Sequence, residues 1–191
     1  MRPNGTAAPT MRFFSPSIVE IVLDAAEAIK ARGGTISFDP NLRPELLNLP
    51  GLRNACETLL RRCDVFLPSD VELYLFTNAK DEKAAVTEIL GHGVRAVVHK
   101  HGADGASYFD GTTHLTQPGF AVEEVDPTGA GDSFGATFVS CWLRNMSPAR
   151  CLTYAAASGA LAVTKQGPME GAASQADLDA FLAAHSRKLS R

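Results

Sequence analysis

With 191 residues, 45% hydrophobic and 20% charged, the chain has an ordinary soluble globular composition, large enough for one sizeable core and with one domain as the default. A formal net charge of −3 with scattered basic residues gives no electrostatic reason to expect a nucleic acid or a membrane as partner. Cys56, Cys63, Cys141 and Cys151 fit neither a Cys-x-x-Cys pair nor a zinc framework. With no apolar h-region at the start and no apolar run near the ~20 residues of a membrane span, the expectation is a cytoplasmic protein with reduced thiols.

Residues 1–12 are rich in Pro, Gly, Thr and Ala and carry no period, so they read as a mobile lead-in to a domain over 13–191. From Ser17, the residues Ile18, Ile21, Val22, Ala25, Ala28 and Ile29 recur on one helical face until Gly33-Gly34. Three short apolar runs follow: 35–38, 64–67 and 95–99. Each reads as a buried strand, and each ends in a polar turn: Asp39-Pro40-Asn41-Leu42-Arg43, Pro68-Ser69-Asp70-Val71-Glu72 and Lys100-His101-Gly102-Ala103-Asp104-Gly105. Helical patterns at 51–62, 70–77 and 81–91 separate them, and this alternation predicts an α/β fold with a mostly parallel sheet. Polar turns at the same end of three strands can converge on one ligand. Short strands at 106–109 and 113–116, joined by Asp110-Gly111, read as a hairpin, and helical runs at 131–145, 148–164 and 175–187 complete the chain.

Between hairpin and helix lies Val125-Asp126-Pro127-Thr128-Gly129-Ala130-Gly131-Asp132-Ser133-Phe134-Gly135. Proline and glycines give way here to helical spacing, which predicts a loop turning directly into a helix N-terminus. Gly129, Ala130 and Gly131 leave the first N–H groups unshielded, a main-chain anion site suited to a phosphate in transfer. Asp132 either favours the first helical turn or acts as a general base that takes a proton from a substrate hydroxyl. Stripping side chains from both flanks favours the second reading. In the first polar turn, Arg43 offers a planar fork of donors for phosphate or carboxylate and Asn41 an amide; a structural turn with a surface arginine is the competing account.

The stretch Asp126 to Asp132 resembles the Asp-Thr-x-Gly-Ala-Gly-Asp motif of the PfkB (ribokinase-like) carbohydrate kinases, with Pro127 in place of Thr. Phe38-Asp39-Pro40-Asn41-Leu42-Arg43 is similar to the corresponding turn of 2-keto-3-deoxygluconate kinases and of tagatose kinase-like sugar kinases. The resemblance implies a ribokinase-like fold, ATP and Mg2+ as cofactors, K+ as a further ion, and a sugar or sugar acid as substrate. It implies Asp132 as the base, Gly129, Ala130 and Gly131 with Asn41 and Arg43 around the transferred phosphoryl group, and Glu72 near Mg2+ through water. Lys100, Gly102, Gly105 and Ala156 would flank the nucleotide, while Asp126 and Thr128, with the 166–171 loop, would hold the monovalent cation. Taken alone, Glu72 reads as a solvated helix residue, and His99 and His101 as ordinary turn residues.

The resemblance covers about residues 13–185 and only the C-terminal part of the family, so the expected domain is truncated at its N-terminus, without the sugar-binding start and the β-lid. Weak or absent turnover is expected unless a second chain supplies the missing part, which leaves a nucleotide-binding remnant as an alternative. A weaker one is a hydrolase: Gly131-Asp132-Ser133-Phe134-Gly135 matches Gly-x-Ser-x-Gly, with Asp177 or Asp179 and His185 downstream. The residues before it, 123–129, are too polar for the strand that such an elbow requires.

Overall fold

The computed structural model describes residues 16–189, so the expected lead-in lies outside the described residues. In chain order the elements are α1 (Pro16–Ala31), β1 (Ser37–Phe38), α2 (Leu52–Leu60), β2 (Val65–Phe66), α3 (Glu82–Gly91), β3 (Ala96–Lys100), β4 (Gly105–Phe109), β5 (His114–Pro118), α4 (Ala130–Leu143), α5 (Pro148–Ala162) and α6 (Gln175–Leu189). Single 3-10 turns occupy Pro44–Asn48, Asp70–Tyr74 and Gly102–Asp104. The helical pattern at 70–77 is therefore one tight turn.

The strands form one sheet in the order β1-β2-β3-β4-β5. Helical crossovers make β1, β2 and β3 parallel, with Ser37, Val65 and Ala96 level across the three. The sheet is mixed because the later connections are too short for a crossover helix. β4 returns antiparallel to β3 through the Gly102–Asp104 turn, and β5 pairs antiparallel with β4. In the β4–β5 hairpin, Asp110 Oδ1 accepts the N–H groups of Thr112 (2.9 Å) and Thr113 (2.7 Å).

Side chains alternate across the sheet, as the two-residue period of strands demands. Phe66 and Val97 face a core with Leu52, Leu60 and Ile89 from α2 and α3, whereas Val65, Ala96 and Val98 face Phe134, Phe138 and Leu152 from α4 and α5. The result is a helix–sheet–helix sandwich in which Phe138, fully buried, is a residue whose truncation would cost about 3–5 kcal/mol. β1 departs from the expectation of a buried strand. It is two residues long, lies at the sheet edge, and leaves Ser37 exposed. The apolar face of α1 is likewise open, with Ile21 66% and Ile29 44% exposed. All four cysteines are free and buried, and burial pushes the Cys63 thiol up to about 12, so these sulfurs stay protonated and inert.

Candidate active site

Because β1, β2 and β3 are parallel and in register, their C-terminal ends coincide, and the three polar turns meet there. The chain beyond β2 continues alongside β3: Lys100 N donates to Pro68 O (2.9 Å) and Ser69 bridges to Lys100. Lys100 is 7% exposed, and its ammonium forms an ion pair with the Asp39 carboxylate from the first turn. Sequence reading placed Asp39 in a motif but assigned it no role. Sixty-one residues separate the partners, and no local pattern announces such a pair.

The N-terminus of α4 rests on this pair. A side chain begun at Gly131 would meet Lys100 Nζ at 3.8 Å, and one begun at Gly135 would meet Asp39 Oδ2 at 3.8 Å. One helical turn separates those positions, so a single face of α4 is docked on the strand ends. Gly129 is the helix cap at φ 83°, and a Cβ there would stand 2.2 Å from Pro168 O. Both its conformation and its neighbour require glycine. Asp132 follows in the first turn with its side chain exposed and without a hydrogen bond or ion pair among the described residues.

The expectation of a solvated Glu72 is overturned by its burial, at 6% exposed. Its Oε1 accepts the Leu42 N–H (2.6 Å) and its Oε2 the Ser69 N–H (2.7 Å). This carboxylate therefore fastens the first polar turn to the second. It does so beside Asn41, whose φ of 42° is a left-handed conformation that asparagine tolerates better than most residues. Asn41 and Arg43 are both exposed.

A cleft of about 480 Å³ opens beside the α4 N-terminus. Lys100, Gly102, Gly105, Ala130, Gly131 and Ala156 are among the residues that line it, which unites the residues expected at the nucleotide with part of the anion loop. Gly105 also serves the hairpin, since a Cβ on it would lie 2.0 Å from Gln117 O. The small residues of α5 serve both of their alternatives: Ala156 faces the cleft, while Gly159 lets α5 approach Phe134 and Ala130 of α4. A second cleft, about 290 Å³, lies at Ser140, Tyr154 and Leu178, where α4 and α5 meet the α6 side, and contains none of the expected site residues.

At the loop before α4, Asp126 Oδ1 accepts the Thr128 N–H and Oδ2 the Gly167 N–H, both at 2.9 Å. The two segments expected around a monovalent cation are thus side by side. The hydroxyl and N–H of Thr128, then the Gly167 N–H, hold the Asp126 carboxyl below its ordinary range. The alternative serine relay is not assembled. Asp177 accepts from Ser174 at the start of α6, Asp179 accepts from the Tyr154 hydroxyl, and His185 Nδ1 bonds Phe181 O. His99 and His101, expected as ordinary turn residues, instead meet the carboxylate of Glu82.

This arrangement of an unshielded helix start over a buried lysine at parallel strand ends coincides with a family match: the model of pfkB family carbohydrate kinases fits residues 6–175. The chain belongs to that family. The pfkB chain is 37% identical over 142 residues to the ATP-dependent ribose-1-phosphate kinase of Halopiger xanaduensis, covering 74% of this chain and 44% of that protein. It is 34% identical over 154 residues to the 2-dehydro-3-deoxygluconokinase of Bacillus subtilis, covering 80% and 48%. Among solved structures, a candidate ribokinase II from E. coli in complex with ATP and Mg2+ superposes with a TM-score of 0.88 at 40% identity, covering 91% of this chain and 56% of that one. A double mutant of Vibrio cholerae fructokinase, with fructose, ADP and potassium bound, gives 0.79 at 31% identity, covering 88% and 56%. The ribokinase-like fold follows, and the chain spans about half the length of these relatives. No helix among the described residues is long and apolar enough to cross a membrane.

Proposed function

We propose that this chain carries the ATP-binding and phosphoryl-transfer half of a kinase acting on a hydroxyl of a sugar or sugar acid. The observation that carries the reading is the docking of the Gly129–Asp132 helix start on the Lys100–Asp39 pair, at the mouth of the cleft. There the free N–H groups of the first turn, with the positive end of the helix dipole, face the place where charge accumulates on a transferring phosphoryl group. Asp132, unpaired and adjacent, takes the proton from the acceptor hydroxyl. Arg43 and Asn41 bind phosphoryl oxygens from the opposite turn, held in place by the grip of Glu72 on Leu42. Lys100, Gly102 and Ala156 receive the nucleotide in the cleft, and Gly105 shapes the turn that carries Gly102.

The donor set suits a largely hydrated Mg2+, which takes one or two carboxylates and keeps its waters. When bound with ATP, Mg2+ supplies charge neutralisation for the phosphates; Glu72 supports it through water and through the turn it fastens. Main-chain oxygens near Asp126, Thr128 and the 166–171 loop are the donors for K+. The test is ADP formation from ATP with Mg2+ and a panel of sugars and sugar acids. Asp132→Asn should abolish acceptor-dependent turnover and leave ATP binding intact by calorimetry. Loss of ATP binding in that variant, or unchanged turnover, would refute the assignment of the base.

The exposure of Asn41, Arg43 and Asp132, and the bare face of α1, favour one qualification. The chain alone binds nucleotide, and efficient turnover needs a second polypeptide supplying the part of the family that this chain does not span. Adding such a polypeptide should raise turnover without altering ATP affinity. An activity already at the level of intact relatives would remove this reading.

A further inference from the structure

One cluster takes no part in the phosphoryl-transfer reading. Glu82 opens α3, His99 lies in β3, and His101 follows the end of that strand. Glu82 Oε1 stands 2.6 Å from His99 Nδ1 and 3.7 Å from His101 Nε2. One ligand atom from each residue lies within 4.8 Å of the other two. His99 is 4% exposed, so water cannot compensate its ring nitrogens.

Counting protons narrows what the cluster holds. His99 Nε2 lies 2.9 Å from the carbonyl oxygen of Asp70, which can only accept, so this nitrogen carries a hydrogen. In the neutral ring, Nδ1 then aims a lone pair at a carboxylate oxygen 2.6 Å away. Two acceptors so close need a cation between them. A proton would satisfy that pair, but gives no reason for a third ligand to converge on the same oxygen. Burial, then the neighbouring His99, hold His101 below its ordinary range against the pull of Glu82, Asp70 and Asp104, so its lone pair is available at neutral pH. Ser107 Oγ, 3.2 Å from that nitrogen, belongs to a hydroxyl that can rotate and yield it.

We infer that Glu82 Oε1, His99 Nδ1 and His101 Nε2 form a binding site for a divalent transition-metal ion of the Zn2+ class, with water as the fourth ligand. The His99 N–H donated to Asp70 O is the outer contact that orients a metal-bound imidazole. Two imidazoles select such an ion over Mg2+, which separates this site from the ion that accompanies ATP. An ion here ties the start of α3 and the Asp70 turn to the end of β3, one residue either side of Lys100.

The test is titration of the metal-free full chain with Co2+, read by visible d–d absorption, and with Zn2+, read by calorimetry. One equivalent should bind with the spectrum of a four- or five-coordinate ion, and excess Mg2+ should not compete. His101→Ala and Glu82→Gln, at the two partly exposed positions, should each weaken binding by at least about tenfold. Nitrogen NMR of the wild-type rings provides a readout independent of any variant: with one equivalent of Zn2+, His99 should show a protonated Nε2 and a metal-bound Nδ1. A doubly protonated His99 in the presence of Zn2+, no stoichiometric binding, or binding unchanged in both variants would overturn the inference.

Discussion

The two sides of the cleft mouth are built differently. On the nucleotide side Lys100 and Ala156 are each 7% exposed, set in packed walls between β3, α4 and α5. On the acceptor side Asn41, Arg43 and Asp132 are exposed, and their side chains have no partner among the described residues. Alignment of reacting groups is worth ~7–11 kcal/mol of a barrier, but only for groups held in place. The contrast teaches that binding and turnover should be separable in this chain: the packed side suffices for the first, and the second depends on how the open side is completed.

The sharpest way to break that contrast is Asp132→Asn. Removing a general base should lower acceptor-dependent kcat by ~10²–10⁴-fold, measured by coupled ADP release. ATP affinity by calorimetry should be unchanged, because Asp132 lies on the open side. A smaller effect, on the packed side, is expected from Lys100→Met. It strands the Asp39 carboxylate, and breaking a buried pair costs ~3–5 kcal/mol; Asp39 keeps 29% of its side-chain surface, so about 2–3 kcal/mol of stability is expected. Urea unfolding should show that loss, and ATP binding should weaken in parallel, the reverse of the Asp132 pattern.

The two loop glycines sharpen the comparison within four residues. Gly129→Ala forces a side chain into the left-handed region and against Pro168 O, a loss of at least ~1–2 kcal/mol that thermal unfolding would register. Gly131→Ala meets only the far end of Lys100 at 3.8 Å, so its stability should equal or exceed wild type. Its turnover should nevertheless fall, since the added methyl crowds the N–H groups that face the phosphoryl site. Equal stability of the two variants would mean that Gly129 is not under strain.

Much of this was legible in the chain itself, for local reasons. The glycine-flanked helix start at 129–132, the Asp110-Gly111 hairpin and the three strand-end turns are set by nearest-neighbour chemistry that spacing reveals. The contacts that crossovers create were not. Asp39 meets Lys100, Glu72 reaches back to Leu42, and Glu82 joins His99 and His101 across intervals of 61, 30 and 17 residues. Each involves a charged residue whose local setting looks solvated, and only tertiary pairing explains its burial or its partner. The α1 face was legible as apolar, but sequence could not indicate that this chain's own core leaves it uncovered.

The smallest expected effect concerns Asp126, which ties the anion loop to the 166–171 segment. Hydrogen bonds from Thr128 and Gly167 stabilise its ionised form, so its folded-state pKa lies below the ordinary 3.8. A depressed carboxyl contributes stability that is fully present above its unfolded value and is lost as pH falls through the folded value. Wild-type urea midpoints should therefore drop more steeply than those of Asp126→Asn as pH is lowered below 3.8, with no difference in slope above about pH 5. Because the carboxylate is solvent-facing, the difference should be small. It should also shrink when K+ is replaced by a larger cation if main-chain oxygens of the same two segments hold that ion. A slope difference centred above the ordinary value would mean that Asp126 is destabilised by its neighbours, and the loop would then owe its shape to the Gly129–Pro168 contact alone.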